Sequence, residues 1–176
     1  MKNSQSLVKL NLSRNPIMDE GIDQLSLAFG NIEERTTFKH GFDDKPKFTR
    51  YSKESYSKLA FLDISSCGIR SKGIFRLLKQ LRTSKHLKEL ILDHNIFNEG
   101  QDFLVGKIGN QIAKNVSLSV LSMRAMNMSD DIASLLAYGL QQNRFLRVVN
   151  MSHNKIAREG AMELAIALNP KLDSRS

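Results

Sequence analysis

One eleven-residue phrase recurs five times along the chain and constrains its fold more than any other feature. The phrase is L-x-x-L-x-L-x-x-N-x-L, and it stands as LVKLNLSRNPI, LAFLDISSCGI, LKELILDHNIF, LSVLSMRAMNM and LRVVNMSHNKI. The second apolar anchors of successive phrases are separated by 52, 28, 31 and 28 residues. A fixed period of roughly 20 to 50 residues is typical of solenoids, in which similar units stack on one another. The sequence therefore predicts a stack of five units.

Each phrase is followed by a stretch with helical spacing of its apolar residues. The stretch SKGIFRLLKQLR, for example, places Ile74, Leu77, Leu78 and Leu81 on one side of a helix. A single strand, turn and helix could not bury their apolar faces alone, so neighbouring units must cover one another. The predicted fold is an α/β solenoid with parallel strands on the concave side and helices on the convex side.

The ninth place of the phrase predicts a structural ladder. It is occupied by Asn15, Cys67, Asn95, Met126 and Asn154. An asparagine amide can satisfy backbone groups at the turn where a strand ends, and a buried turn cannot leave those groups unpaired. We assign Asn15, Cys67, Asn95 and Asn154 to this ladder. Cys67, the single cysteine, is interpreted as a small buried residue rather than a reactive thiol.

The roughly 28-residue unit resembles the ribonuclease-inhibitor-like class of leucine-rich repeats, which includes ribonuclease inhibitor, NOD-like receptors, RanGAP, tropomodulin and CARMIL proteins. The segments SLVKLNLSRNPI and KFTRYSKESYSKLAFLDISSCGIRSKG, separated by a polar loop, are similar to the repeat region of CARMIL-type actin regulators. In that family the segment that binds actin capping protein lies beyond the repeats, and nothing in this chain matches it. The resemblance implies a protein-binding scaffold of the cytoplasm, associated with the cytoskeleton or another large assembly.

The chain reads as one domain over residues 1–176, with about five repeats and an insertion at about 31–57. The insertion is polar, contains Gly41 and Pro46, and marks an excursion from the solenoid. Solenoids need polar caps, and neither terminal repeat has one, so we expect a fragment of a larger assembly or a chain packed against one. The sequence has no apolar stretch of about 18 residues and no signal-peptide core, which favours an intracellular, cytoplasmic protein.

The outward positions of the strands form the candidate partner site. In each strand they alternate with the buried leucines, so they share the concave face. The central candidates are Phe61, Asp63, Glu89, Ile91, Asp93, Val120, Ser122 and Arg124. An apolar centre surrounded by charge is typical of protein interfaces, and solenoids commonly bind along this side. A solvated sheet face is the alternative.

A second candidate surface is basic. The formal net charge is +8, and Arg70, Lys72, Arg76 and Lys79 fall in the second helical stretch, the last three at the spacing of one helix face. Such a patch would suit anionic lipid headgroups or an acidic protein, although a solvated helix face is the commoner explanation. Nucleic acid is not favoured, because aromatic residues do not interleave with the charges.

The sequence predicts no enzyme, no catalytic residue, no cofactor and no metal site. It contains none of the hydrolase, phosphate-binding or dinucleotide-binding motifs, and its four histidines and one cysteine do not have zinc-site spacing. The alternative with enzymatic consequences is RanGAP-like activation of a GTPase. That activity would require a loop arginine, for which Arg35 and Arg50 of the insertion are the candidates.

Overall fold

A computed structural model of the chain describes residues 6–29, 35–36, 48–49, 57–82, 84–98, 100, 102–169 and 171. The strands are β1 (Lys9–Asn11), β2 (Arg35–Thr36), β3 (Phe48–Thr49), β4 (Phe61–Asp63), β5 (Glu89–Ile91), β6 (Val120–Ser122) and β7 (Val148–Asn150). The helices are α1 (Met18–Ser26), α2 (Ser71–Leu81), α3 (Asp102–Lys114), α4 (Asp130–Gln142) and α5 (Arg158–Leu168). Each repeated phrase therefore holds one strand, and a helix follows it.

The five repeat strands form one parallel sheet in the order β1-β4-β5-β6-β7. The leucine anchors lie opposite one another, Leu10 beside Leu62, Leu62 beside Leu90 and Leu90 beside Leu121. Because β1 pairs directly with β4, the insertion does not interrupt the sheet, and β2 and β3 form a separate antiparallel pair. The predicted α/β solenoid is confirmed.

The core lies between the sheet and the layer of helices, each of which packs on the next. The inward strand residues Leu62, Leu90 and Leu121 are completely buried, and so are Ile74 of α2 and Ile108 of α3. The inward residues predicted from the strand alternation and those predicted from the helical spacing thus pack together in one apolar layer. This removal of apolar surface from water is the main force that holds the units together.

A left-handed residue follows each repeat strand. These residues are Arg14, Ser66, His94, Ala125 and His153, with φ between 52° and 62°. Such a φ is uncommon for residues other than glycine. In the first four repeats the same residue donates its N–H to a carbonyl of the next repeat, as from His94 to Arg124 at 2.8 Å. Stacking therefore supports a turn that an isolated unit would hold poorly.

Asparagines at the ninth place of the phrase link each turn to the preceding one. Asn95 Oδ1 accepts the backbone N–H groups of Cys67 at 3.1 Å and Ile69 at 3.0 Å, and Asn95 Nδ2 donates to Ile64 O and Leu92 O. Asn154 makes the equivalent four bonds to the fourth and fifth repeats. One side chain thus satisfies two donors and two acceptors.

A second ladder, which the sequence analysis missed, holds the connections from helix to strand. Asn115 accepts the N–H groups of Ser117 and Leu118 and donates to Leu81 O. Asn143 accepts from Phe145 and Leu146 and donates to Ile112 O and Asn115 O. Each asparagine stands three residues before the first leucine of a phrase, and Ser84 accepts from Leu87 at the same spacing. That spacing is the signal that would have revealed it.

A third set of side chains joins the helix starts. Asp19 Oδ1 accepts the Arg70 N–H at 2.8 Å, and Asp130 Oδ1 accepts the Ala157 N–H at 2.6 Å. Ser71 Oγ accepts the N–H of Asn98 in the same way. A side chain at the start of one helix therefore binds the approach to the next helix.

Helices α3 and α4 approach each other through glycines. A Cβ atom on Gly139 would collide with Gly109 O and lie 2.9 Å from Gly109 Cα, and one on Gly109 would lie 2.7 Å from Leu135 O. These glycines therefore permit a backbone contact that any larger residue would obstruct.

The last repeat is less enclosed than the middle ones. Leu146, Val149 and Met151 are half-buried, whereas Leu118 and Leu121, in the preceding repeat, are at most 1% exposed.

Of the helices that the structure describes, none has the length and hydropathy of a membrane-spanning segment.

Candidate functional site: the strand face

The register of the sheet brings the outward strand residues into three columns. The first column is Lys9, Phe61, Glu89, Val120 and Val148. The second is Asn11, Asp63, Ile91, Ser122 and Asn150. The third comprises the residues two positions later, which are Ser13, Ser65, Asp93, Arg124 and Ser152. The register therefore places six of the eight predicted partner-binding residues on one face of the sheet, and the other two, Asp93 and Arg124, lie in the turns just beyond β5 and β6.

Asp63 is tied to its neighbours rather than free. Its Oδ1 accepts the Ser65 N–H at 2.9 Å and the Ser65 hydroxyl at 2.6 Å, and its Oδ2 accepts an amide hydrogen of Asn11 at 3.1 Å. These bonds hold the start of the turn after β4 and join it to β1. Much of the hydrogen-bonding capacity of this carboxylate is therefore used within the fold.

Asp93 links two repeats just beyond the C-terminal ends of β5 and β6. Its Oδ1 accepts the Ser122 hydroxyl at 2.6 Å and the Arg124 N–H at 2.9 Å. Ser122 is only 6% exposed, so it contributes to this face by holding Asp93 rather than by offering surface. Arg124 Nε is buried and has no hydrogen-bond partner in the part of the chain that the structure describes.

Glu89 differs from the two aspartates. It is half-buried at the start of β5, and its side chain accepts no hydrogen bond from the described residues. Its carboxylate is therefore available to a cation from outside the chain. Because its charge holds no backbone group, it can be changed without breaking a contact of the turns.

Apolar side chains flank Glu89 in the first column. Lys9 Nζ lies 5.9 Å from the centre of the Phe61 ring, within the range of a cation–π contact. Val120 is half-buried and Val148 is 52% exposed. Ile91 is half-buried in the adjoining column. The strand face thus combines accessible apolar surface with a negative charge that no described residue neutralises.

The predicted basic patch on α2 is partly neutralised. Arg76 Nη1 forms an ion pair with Asp23 Oδ2 of α1. Lys72 and Lys79 are exposed, and Arg70 is exposed immediately before the helix. The middle cation of the predicted helix face therefore joins α1 to α2, which sequence spacing could not show because the two residues are separated by the insertion.

Cys67 is completely buried, and burial raises the pKa of its thiol, with Asp63 acting in the same direction. The thiol lies 3.2 Å from Leu12 O and 3.4 Å from Ser65 O, to which it can donate. A raised pKa and full burial both oppose formation of the nucleophilic thiolate. The environment is that of a structural cysteine.

The structure describes the candidate arginines of the insertion only in part. Arg35 lies in β2, but its side chain and the whole of Arg50 lie outside the described residues. The described residues contain no cluster of three or more histidine, cysteine or acidic side chains that would hold a metal ion.

Comparison with known proteins agrees with the repeat architecture. The family model described as Leucine Rich repeat matches residues 3–26 and 142–165, which contain the first and the fifth phrase. The repeats therefore have the leucine-rich-repeat fold. It superposes on the tropomodulin C-terminal domain of Caenorhabditis elegans with a TM-score of 0.59 and 14% identity, covering 98% of this chain and 87% of that one. A structure titled Leiomodin-1 Actin-Binding Site 2 gives 0.61 and 13%, with the same coverage.

Two sequence relatives contain the same kind of repeat within much longer chains. Leucine-rich repeat-containing protein 45 of Gallus gallus is 29% identical over 105 residues, which cover 60% of this leucine-rich-repeat chain and 16% of that protein. NACHT, LRR and PYD domains-containing protein 5 of Homo sapiens is 25% identical over 161 residues, which cover 92% of this chain and 11% of that protein. The matched regions thus span a small part of either relative.

Proposed function

We propose that this leucine-rich-repeat chain is a protein-binding scaffold, without enzymatic activity of its own, whose strand face receives a partner protein. The observation that carries the proposal is the first column of the sheet. There Glu89, which has no partner among the described residues, lies between the apolar side chains of Phe61 and Val120. The more exposed Val148 continues the column. Apolar anchors beside charge are the usual composition of a protein interface.

The complementary partner would present a basic group to Glu89 and Asp93 and apolar side chains to Phe61, Ile91 and Val120. Asp63, Ser122 and Arg124 complete the proposed site. Asp63 and Ser122 do so mainly by fixing its shape, because their polar atoms already bind other residues of the sheet. A preorganised face loses little conformational entropy on binding, which favours affinity.

A cytoskeletal partner is the first to test. One solved structure with the same fold is titled as an actin-binding site of leiomodin-1, and another is a tropomodulin domain. We therefore propose a cytoplasmic, cytoskeleton-associated role, with actin as the first candidate ligand.

The test compares the wild-type chain with the variant E89K/V148E in co-sedimentation with actin filaments and in capture from native lysate followed by mass spectrometry. Neither residue holds a turn, so the variant should keep its fold. We expect the captured partner to be lost or weakened roughly 100-fold, because a charge pair and an apolar contact are both removed. The matched control is E159K/M162E, which makes the same two kinds of change at exposed positions of α5 in the helix layer. Unchanged capture by E89K/V148E would remove the strand face from the proposal.

RanGAP-like GTPase activation through Arg35 or Arg50 stays a prediction from the sequence. Its test is the loss of stimulated GTP hydrolysis in R35A and R50A. Binding through Arg70, Lys72, Arg76 and Lys79 also stays a prediction, to which the ion pair of Arg76 adds no support.

A further inference from the structure

In its described residues, one rim of the solenoid carries positive charge without negative charge. This edge contains Lys114, the last residue of α3, and the helix-to-strand residues 57–60, 82, 84–88, 115–119 and 143–147, and we call this set the basic rim. Their cations are all exposed, and they are Lys58, Arg82, Lys85, Lys88, Lys114, Arg144 and Arg147. These described segments contain no aspartate or glutamate.

The sheet register makes these connections neighbours in space. Ser119 N–H donates to Lys88 O at 2.8 Å, and Arg147 N–H donates to Ser119 O at 2.9 Å. Adjacent strands are about 4.8 Å apart, so Lys88 and Arg147 stand roughly 10 Å apart along the rim. The buried amides of Asn115 and Asn143 fix the loops between them. The cations therefore form a row on a rigid edge.

Neither ion pairing nor the helix dipole accounts for this row. None of its cations pairs with a carboxylate of the described residues, where the ion pair is that of Arg76 with Asp23. Cations near a helix C-terminus are favoured by the dipole, and Lys114 fits that explanation. The last turn of α4 contains no basic residue, however, and Arg144 and Arg147 lie beyond it. Their charge is available to an external anion.

Exposed apolar side chains lie among these cations. Val116 is 51% exposed beside Lys114 in one connection, and Phe145 is 48% exposed between Arg144 and Arg147 in the next. Phe145 N–H is bonded to Asn143, so its backbone is fixed while its ring has access to solvent. Apolar side chains that project between cations are typical of surfaces that dock on anionic membranes.

We propose that the basic rim docks on a membrane surface rich in anionic phospholipid, with Phe145 and Val116 entering the headgroup region. The cations are spread over several loops and do not converge on a single anion. They therefore suit a surface of many lipid headgroups better than one small anionic ligand. Docking by this edge leaves the strand face open to its own partner. Membrane docking is thus independent of the proposed scaffold function, and either can be wrong while the other is correct.

The test is sedimentation of the full chain with vesicles of phosphatidylcholine alone or with 30% phosphatidylserine, a composition chosen for about one anionic lipid in three. We expect binding to the anionic vesicles only, and release as added salt shortens the screening length from about 10 Å at 0.1 M to about 3 Å at 1 M. The variant K88E/R144E/R147E should bind at least about 100-fold more weakly, given the usual contribution of each basic residue near such a surface. F145S should bind roughly tenfold more weakly, through lost apolar burial.

The matched control is R14E/K155E/R158E, which changes the net charge equally at exposed positions on and beside the opposite rim and should retain binding within about fivefold. Equal loss in both triple variants would show that net charge alone drives adsorption and would overturn the proposal. So would binding to soluble poly-glutamate without binding to anionic vesicles, which would indicate an acidic protein instead. Full affinity in F145S would overturn the insertion of the ring. Circular dichroism melts verify that each variant is folded.

Discussion

The two rims of the solenoid are built by similar contacts but carry their charge differently. The turn rim, residues 12–17, 64–70, 92–98, 123–129 and 151–157, is held by Asn95 and Asn154. The basic rim is held by Asn115 and Asn143. At both rims, a single side-chain amide forms hydrogen bonds with several backbone N–H and C=O groups that have no partner in a helix or strand. The stacking of the solenoid therefore uses asparagines at both edges, buried at Asn95 and Asn115 and half-buried at Asn143 and Asn154.

The charges separate the rims. At the turn rim the carboxylates bind backbone N–H groups, as Asp93 does with Arg124 and Asp130 does with Ala157. Helices begin there, and their free N–H groups and positive dipole end favour anions. At the basic rim the cations bind no described carboxylate. Among the described residues, the carboxylates at and beside the turn rim therefore stabilise the fold, whereas the cations of the basic rim have no carboxylate partner.

The largest effect is expected at the turn rim, in Asn95→Ala. The substitution leaves two buried N–H groups and two buried carbonyls without their partner, so we expect the free energy of unfolding to fall by about 3 to 5 kcal/mol. Urea denaturation measures it. Asn154→Ala removes the same four bonds from a half-buried site, where water can replace them, and should cost about 1 to 2 kcal/mol. Equal losses would show that burial does not set the strength of the ladder.

The next effect concerns the packing of α3 on α4, which fixes the spacing of the connections on the basic rim. Gly139→Ala places a methyl group against the backbone of Gly109, so the helices must separate, and we expect a loss of about 2 to 3 kcal/mol. Gly106→Ala is the control, because its added Cβ would meet only Leu135 Cδ2, at 3.9 Å. It should be neutral or slightly stabilising in the same thermal melts. A stable Gly139→Ala would contradict the close approach.

A smaller effect compares one charge from each rim directly. Asp130→Ala deprives the Ala157 N–H of its acceptor and should cost about 1 kcal/mol. Arg147→Ala removes an exposed cation without a described partner and should change stability by less than about 0.5 kcal/mol. Asp130→Asn keeps an acceptor oxygen and should recover part of the loss. If Arg147→Ala destabilised the chain as much as Asp130→Ala, the contrast between the rims would be wrong.

The smallest effect is the titration of Cys67. Burial raises its pKa in the folded state, so the folded chain retains this proton to higher pH than the unfolded chain does. Its contribution to stability is therefore complete below the unfolded pKa, near about 8.5, and declines as pH rises through and beyond it. Denaturation midpoints of wild type and Cys67→Ala between pH 7 and 10 should show this decline only in wild type. A parallel response in both would assign the pH dependence to other groups.

The repeated phrase predicted most of the architecture because the same apolar positions, which must be buried, recur in five copies. Alternation around Leu62, Leu90 and Leu121 gave the buried side of the sheet and, with it, the outward columns that include Phe61 and Glu89. The family model and the solved structures agree with the repeat. Whether the outward residues bind a partner stays a prediction.

Other features could not be read from local patterns. The helical spacing placed Lys72, Arg76 and Lys79 on one face, but it could not show that Arg76 reaches Asp23 of the neighbouring helix. The alternation made Ser122 an outward residue, but its hydroxyl turns to Asp93 and it is nearly covered. Both outcomes depend on a side chain from another repeat, and a single repeat does not contain that information.

By itself the sequence determined the stacked units, their order and the inward side of every repeat strand, because apolar periodicity sets which residues must leave water. The tertiary structure alone decided which charges bind the fold and which are available. Asp63, Asp93 and Arg76 look like free charges in the sequence and are engaged across repeats, while Arg144 and Arg147 have no ion-pair partner among the described residues. Partnership of a charged group depends on distances between units, and these are fixed only when the units pack together.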